Sequence, residues 1–304
     1  MVRYFLKTGF RSIVKYRIVS FIGILSLSVG ISVLLLIEIF AGNELSVDRI
    51  HDKASRIYKV SYGNSSFTPG PLSNTLLENF HEIQHATHIE THQLFAFSPV
   101  LNHSNQSFEM EGYYSVDSSF FKVFDFNVLH GDMESATSLP FSIILTESEA
   151  MRIFNSPDPI GETVTWKVYS DFTFTVTAIV EDPPQNSSLR YNGLISGSSL
   201  GKMGRHYHDD WGYTSFETYL LLNPGADATM LEQKLRGFLI DYYATNLSSK
   251  ASYADASTNP LELHALREVY FNEDLANDTT NKGNLLQIRI LIAVGIIIIP
   301  KQQY

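Results

Sequence analysis

The chain has 304 residues, a formal net charge of −10 and no cysteine. Without thiols it has no disulfide framework, no zinc–thiolate site and no thiol nucleophile, so its stability rests on packing. The acidic balance is concentrated. All acids but Glu38, and all bases except five near the amino terminus, Arg289 and Lys301, lie in Gly42–Lys282, giving 31 acids against 15 bases. Such a surface offers nothing to nucleic-acid phosphates.

Residues 1–17 hold Arg3, Lys7, Arg11, Lys15 and Arg17 and no acid. Four of these recur every four residues, while Phe5, Leu6, Phe10, Ile13 and Val14 occupy another face. The pattern predicts an amphipathic helix on the inner leaflet, its bases near anionic lipid headgroups. Ile18–Ala41 follows with one charge, Glu38. As a helix it reaches about 36 Å, enough to cross a hydrocarbon core of about 30 Å. Short basic flanks stay inside, so the amino terminus is expected in the cytoplasm and the acidic stretch outside. A cleaved signal peptide fits less well, because the apolar run is too long and no small-x-small site follows it. Ser26/Gly30 and Ser28/Ser32 are spaced for close helix packing, and Glu38 lies near the outer boundary.

After this span, Arg56–Tyr62 alternates as a strand, Pro69-Gly70-Pro71 opens a helix through Leu72, Leu76, Leu77 and Phe80, and Ala86–Phe97 returns extended. The same order recurs late. Phe216–Leu222 reads as a strand, Asp227 as the N-cap of a helix carrying Leu231, Leu235, Phe238, Leu239 and Tyr242, and Leu261–Leu266 as a second strand. Between them, Thr146–Glu149 is a capping box for a helix ending before Pro157, and Phe172–Val180 alternates as a strand. The expected fold class is α+β: a transmembrane helix, then an extracytoplasmic domain of two βαβ-like units with an inserted β-rich subdomain. A second apolar segment, Leu285–Ile299, is interrupted by Arg289 and closed by Pro300. It reads either as a truncated transmembrane helix or as a tail packed on the ectodomain, and its four consecutive isoleucines favour the former.

Chemistry-bearing motifs are few. His81-Glu82-Ile83-Gln84-His85 has the H-E-x-x-H form, which would place two imidazoles on one helical face with Glu82 as general base. The apolar helical phase fades at Phe80, however, and positions 88 and 91 are not those of a metzincin. His81, His85, His88, His92 and His103 are half of the histidines in the chain. On a strand they would be split between faces, so a solvated histidine-rich stretch is preferred over a zinc or copper site. Gly197–Met203 is one residue short for a phosphate loop and has Met203 where Ser or Thr must reach magnesium. Catalytic, cofactor-binding and metal sites are therefore all expected to be absent.

The order of segments resembles the amino-terminal part of MacB/FtsX-like ABC transporter permeases. The resemblance rests on Glu44–Val60 (ELSVDRIHDKASRIYKV), Tyr114–Asp132 (YSVDSSFFKVFDFNVLHGD), Ser142–Gly161 (SIILTESEAMRIFNSPDPIG), Phe174–Pro183 (FTVTAIVEDP), Phe216–Leu235 and Gly283–Ile299. It implies a cytoplasmic head (1–17), transmembrane helix 1 (18–41), a periplasmic core domain (42–284) and the truncated start of a second helix (285–304). Within the core it implies a porter-like subdomain, 44–104 and 206–270, and a β-rich insert, 105–205. It further implies a non-enzymatic permease subunit in the cell inner membrane. Its partners would be a separate cytoplasmic ATPase, a second permease copy, membrane lipids, and periplasmic or outer-membrane components. ATP-driven motion would pass to the periplasmic domain for export or extraction of a substrate. The family's remaining helices have no counterpart before Tyr304, which suggests a fragment. The rivals are a membrane-anchored extracytoplasmic sensor and an anchored hydrolase.

Overall fold

A computed structural model describes residues 11, 14–91, 100–167, 170–204, 207–246 and 259–298, so most of the basic head and the end of the chain lie outside the described residues. Two compact units divide the chain, one made of residues 1–46 and 283–304, the other of Val47–Lys282.

In the first unit, helix α1 runs Arg17–Leu45 and is long and apolar enough to cross a membrane. Ile18, Val19, Phe21, Leu36 and Ile39 are each more than 60% exposed, a stripe suited to lipid and costly in water. Two of its serines bond to the backbone of the helix itself. Ser28 Oγ donates to Ile24 O and Ser32 Oγ to Ser28 O, both at 2.8 Å, as a segment surrounded by hydrocarbon requires. The second apolar segment is helical over Leu285–Ile298. Close approach of the two helices occurs at Gly295, where an added Cβ would lie 3.3 Å from Leu34 Cδ2 and 3.6 Å from Ile37 Cδ1. The expected small-residue face of α1 is used only in part: Gly30 is half-covered, whereas Ser26, Ser28 and Ser32 stay exposed.

In the second unit the strands and helices follow in chain order as β1 (Ile57–Tyr62), β2 (Thr68–Pro69), α2 (Leu72–Asn79), β3 (Ile83–Thr91), β4 (Val100–His103), β5 (Gln106–Glu109), β6 (Tyr113–Val116), α3 (Phe120–Val123), β7 (Val128–Gly131) and α4 (Met133–Ser138). Then come β8 (Ser142–Thr146), α5 (Glu147–Phe154), β9 (Thr163–Lys167), β10 (Asp171–Val180), β11 (Gly193–Ser196), α6 (Ser198–Lys202), β12 (Thr214–Leu222), α7 (Ala228–Asn246), β13 (Leu261–Ala265) and α8 (Leu266–Val269). The strands form one sheet in the order β13-β1-β12-β3-β6-β11-β8-β10-β9-β4-β5, with β2 on β12 and β7 on β10.

Two helical crossovers organise one end of that sheet. Strand β12 lies antiparallel between β1 and β3, and β1 lies antiparallel between β12 and β13. Hence β1–α2–β3 and β12–α7–β13 are two split βαβ units, interleaved in the order 4-1-3-2 of a ferredoxin-like sheet. This is the α+β arrangement expected from the sequence. Beyond β3 the sheet continues through β6, and β6–β11 and β8–β10 are parallel pairs.

Both faces of the central strands are covered. On β12, Leu220 and Leu222 join Leu72, Leu76, Leu231, Leu235 and Leu239 under α2 and α7. Tyr219 and Leu221 turn the other way, onto Phe120, Phe124, Ile89 and Val116. A third cluster gathers Trp166, Phe174, Val176, Ile143 and Leu145. The alternation follows from the two-residue repeat of a strand, and Phe216–Leu222, buried at every position, is covered on both sides.

Local signals hold at the helix ends, with one exception. Asp227 Oδ1 accepts from Thr229 N at 2.9 Å and Met230 N at 3.1 Å, capping α7. Thr146 Oγ1 accepts from Glu149 N at 3.3 Å, which is half of the expected capping box. The other half does not form. Glu149 is buried and takes Tyr113 Oη and Arg152 as partners, while the Thr146 N–H that it would have capped already donates to Asn192 O at 3.0 Å.

Candidate functional site

Two short segments continue directly from the ends of the apolar helices into the second unit: the residues after Leu45 and those before Leu285. Both are held by the loop Asn186–Ser188. On the first, Asp48 adopts φ +57° and is buried. Its amide donates to Asn186 O at 2.9 Å, and its Oδ1 accepts from Ser188 N at 2.9 Å and Ser187 Oγ at 3.5 Å. Burial raises the Asp48 carboxyl above the ordinary carboxylate range, against the serine hydrogen bonds that hold it down. On the second segment, Asn281 N donates to Ser188 O at 3.0 Å. The loop is braced internally by Ser187, whose N–H donates to Pro184 O at 3.0 Å and whose Oγ donates to Leu189 O at 2.9 Å.

The second segment is also held by charge. Lys59, in the middle of β1, is fully buried, with Nζ 3.0 Å from Glu217 Oε2 and 2.8 Å from Asp278 Oδ1. Glu217 Oε1 accepts from Thr279 N at 2.8 Å and Thr279 Oγ1 at 2.7 Å, while Oε2 accepts from Tyr219 Oη at 3.1 Å. Asp278 Oδ1 accepts from Thr280 N and Oγ1, and Oδ2 lies 2.6 Å from Lys282 Nζ, which also donates to Val269 O at 2.7 Å. Two cations and two anions therefore balance inside the fold. Burial alone would raise the Asp278 carboxyl; Lys59, Lys282 and Thr280 outweigh it and hold the pKa at about 2. The Tyr219 hydroxyl is pushed far up, first by burial and then by the Glu217 charge.

Such a cluster adds little net stability relative to apolar packing, but it tolerates no missing member. The seating of residues 278–282 pairs each of these charges. The segment that enters the Leu285–Ile298 helix is thus fixed on β1 and β12, and the segment leaving α1 is fixed to a loop that also binds Asn281. Sequence reasoning missed this arrangement. Lys59 falls on the alternating polar face of Arg56–Tyr62 and reads as solvent-facing, and nothing local links it to Asp278.

The histidines are dispersed. His81 is exposed in the turn before β3, 3.4 Å from Glu82 Oε2, and Glu82 pairs with Lys234. His85 lies on β3 opposite Leu221, so the H-E-x-x-H residues straddle a turn and a strand and share no helical face. His103 is on β4, its Nδ1 3.0 Å from Thr163 O and its ring against Phe154. His92 lies outside the described residues. His88 is buried and faces His208, which the sequence cluster did not contain. Among the described residues no group of three histidine, aspartate or glutamate side chains is placed to hold one metal ion. Within Gly197–Met203, Ser198–Lys202 forms the short helix α6, and Met203 belongs to the core.

The family model described as MacB-like periplasmic core domain matches residues 20–238. Among solved structures, a domain assigned to a permease protein of Porphyromonas gingivalis is 19% identical with a TM-score of 0.58, the match covering 79% of this chain and 99% of that one. The periplasmic region of MacB from Actinobacillus actinomycetemcomitans is 17% identical with a TM-score of 0.50, the match covering 76% and 96% respectively. At these identities the likeness shows the fold. No curated protein matches the chain.

Proposed function

The chain belongs to the MacB-like periplasmic core domain family, and from that premise we propose that it is a permease component of an ABC transporter that works as a transmission part. A separate cytoplasmic ATPase supplies the energy; this chain carries motion across the cell inner membrane to a periplasmic domain. The amino terminus is cytoplasmic, a second permease copy completes the pair, and the outward movement drives export or extraction of a substrate. In this reading 44–104 and 206–270 form the porter-like subdomain and 105–205 the insert.

One observation carries the proposal. The loop Asn186–Ser188 binds Asp48, three residues beyond α1, and Asn281, four residues before the Leu285–Ile298 helix. A displacement arriving along either helix therefore loads the same braced loop and, through Asp278 and Lys59, the centre of the sheet. No catalytic group is needed for this task. Purification of the full chain from native membranes in mild detergent tests it: an ABC ATPase subunit should accompany it, with nucleotide hydrolysis in the complex. A chain recovered without any nucleotide-hydrolysing partner would instead favour the anchored sensor.

A further inference from the structure

We propose that His88 and His208 form a two-imidazole site for a late first-row divalent cation of the Zn2+ class, completed by water or an exogenous ligand from the cavity they line. His88 comes from β3 and His208 from the turn Tyr207–Asp209, so two distant parts of the chain meet here. His88 Nε2 and His208 Nδ1 lie 3.2 Å apart. Two zinc–nitrogen bonds of about 2.0–2.1 Å at a tetrahedral angle hold their nitrogens about 3.4 Å apart, so a small rotation of either ring admits the ion.

The surroundings of His88 fit that use. Its Nδ1 lies 2.9 Å from Ser73 Oγ and 3.2 Å from Asp117 Oδ2. With the proton on Nδ1, facing Ser73 Oγ and the Asp117 carboxylate, Nε2 keeps its lone pair for the cation. Asp117 is itself fixed, accepting from Thr87 Oγ1 at 2.8 Å, Ser119 N at 2.8 Å and His88 N at 3.0 Å. This is the carboxylate–histidine–metal relation that orients a ligand imidazole. On the open side lies a cavity of about 400 Å³ lined by both histidines and by Ser118, Ser138 and Ser198. It has room for the remaining ligands; among the described residues no third histidine or carboxylate is grouped with the two imidazoles. Imidazole donors suit zinc, copper and nickel rather than magnesium or calcium.

The probe is Zn2+ itself, titrated calorimetrically into the full chain in detergent, with Co2+ as a spectroscopic stand-in. One site is expected, tightened tetrahedral Co2+ absorption included. His88→Gln or His208→Gln should weaken it at least tenfold, and Asp117→Asn should weaken it by about 10- to 100-fold. His81→Ala and His103→Ala should leave it unchanged. His208, on a turn, provides the arm that survives if His88→Gln does not fold. Binding that persists in His208→Gln, binding lost in His81→Ala or His103→Ala, or no binding at all would overturn the proposal and leave an imidazole–imidazole hydrogen bond in its place.

Discussion

The Lys59 side chain is fully buried, and its charge is answered by Glu217 and Asp278. Replacing it with Met would leave two carboxylates buried beside each other without their shared cation. The expected cost is about 3–5 kcal/mol, read from urea unfolding in detergent by tryptophan fluorescence. The exposed Arg236–Glu232 pair, at 2.8 Å, is the control, and Arg236→Ala should leave the unfolding midpoint close to that of the native chain. Equal losses in the two variants would remove the special standing of the buried cluster. His51 offers a second residue-scale test. It follows Asp48 closely, packs on Phe124 and Phe126, and accepts from Asp125 N at 3.0 Å through Nδ1. Burial lowers its pKa to about 4, with Asp125 opposing and Lys53 adding to the shift. The unfolded chain takes up this proton near the ordinary value of 6.5, whereas the folded chain waits until about 4. Its contribution to stability is therefore fully present above pH 6.5 and is lost as pH falls through 4, a change of the order of 3 kcal/mol. His85, His88 and His264 are lowered as well and act in the same direction. His51→Asn keeps an acceptor for Asp125 N and should flatten the slope of unfolding free energy between pH 6.5 and 4. An unchanged slope would mean that His51 titrates as it does in water.

At the scale of elements, caps and periodicity explain what was legible. Asp227 precedes an apolar helical stripe, and its carboxylate caps α7 as its position predicts. Asp227→Ala should cost about 1 kcal/mol, measured by chemical unfolding, with Asp227→Asn close to the native chain. Alternation revealed β10 up to a register shift: Phe174 and Val176 are buried in one cluster, and the irregularity between Val176 and Ala178 turns Ala178 and Val180 into another; the repeated strand–helix–strand order revealed the two βαβ units. Strand order was not legible, because the placing of β12 between β1 and β3 is decided by pairings more than 120 residues apart. The same distance hid the candidate site. On β1, Ile57, Lys59 and Ser61 share a face, and a lysine in that pattern reads as solvated; it is buried because Phe124, Tyr219 and the 278–282 segment cover the face that periodicity leaves open. Glu149 shows a related limit. A capping-box motif fixes its backbone position, but the tertiary demand of Tyr113 and Arg152 decides where its side chain goes. The histidine cluster failed as a site for the opposite reason, since neighbours in sequence were split by a turn and a strand while His88 found its partner 120 residues away.

For the molecule as a whole, membrane orientation follows from where charge is absent as much as from where it is present. On the proposed orientation, the basic head, the apolar α1 and the acidic stretch beyond it take cytoplasm, bilayer and exterior in turn. Reversing them would place Arg3, Lys7, Arg11, Lys15 and Arg17 outside and 31 acids inside, against the bias that governs insertion. The lack of cysteine makes this directly testable, because one introduced thiol is the only thiol in the protein. Asp171, exposed at the start of β10, and Arg11, exposed ahead of α1, are suited to the substitution. In cells with an intact inner membrane and a permeable outer envelope, a membrane-impermeant maleimide should label Asp171→Cys within minutes and leave Arg11→Cys unmodified until detergent is added. Labelling of Arg11→Cys alone would invert the topology. Labelling of neither before lysis would place the domain in the cytoplasm, where a braced loop joining two helix ends has no periplasmic load to drive and the transmission reading fails with it.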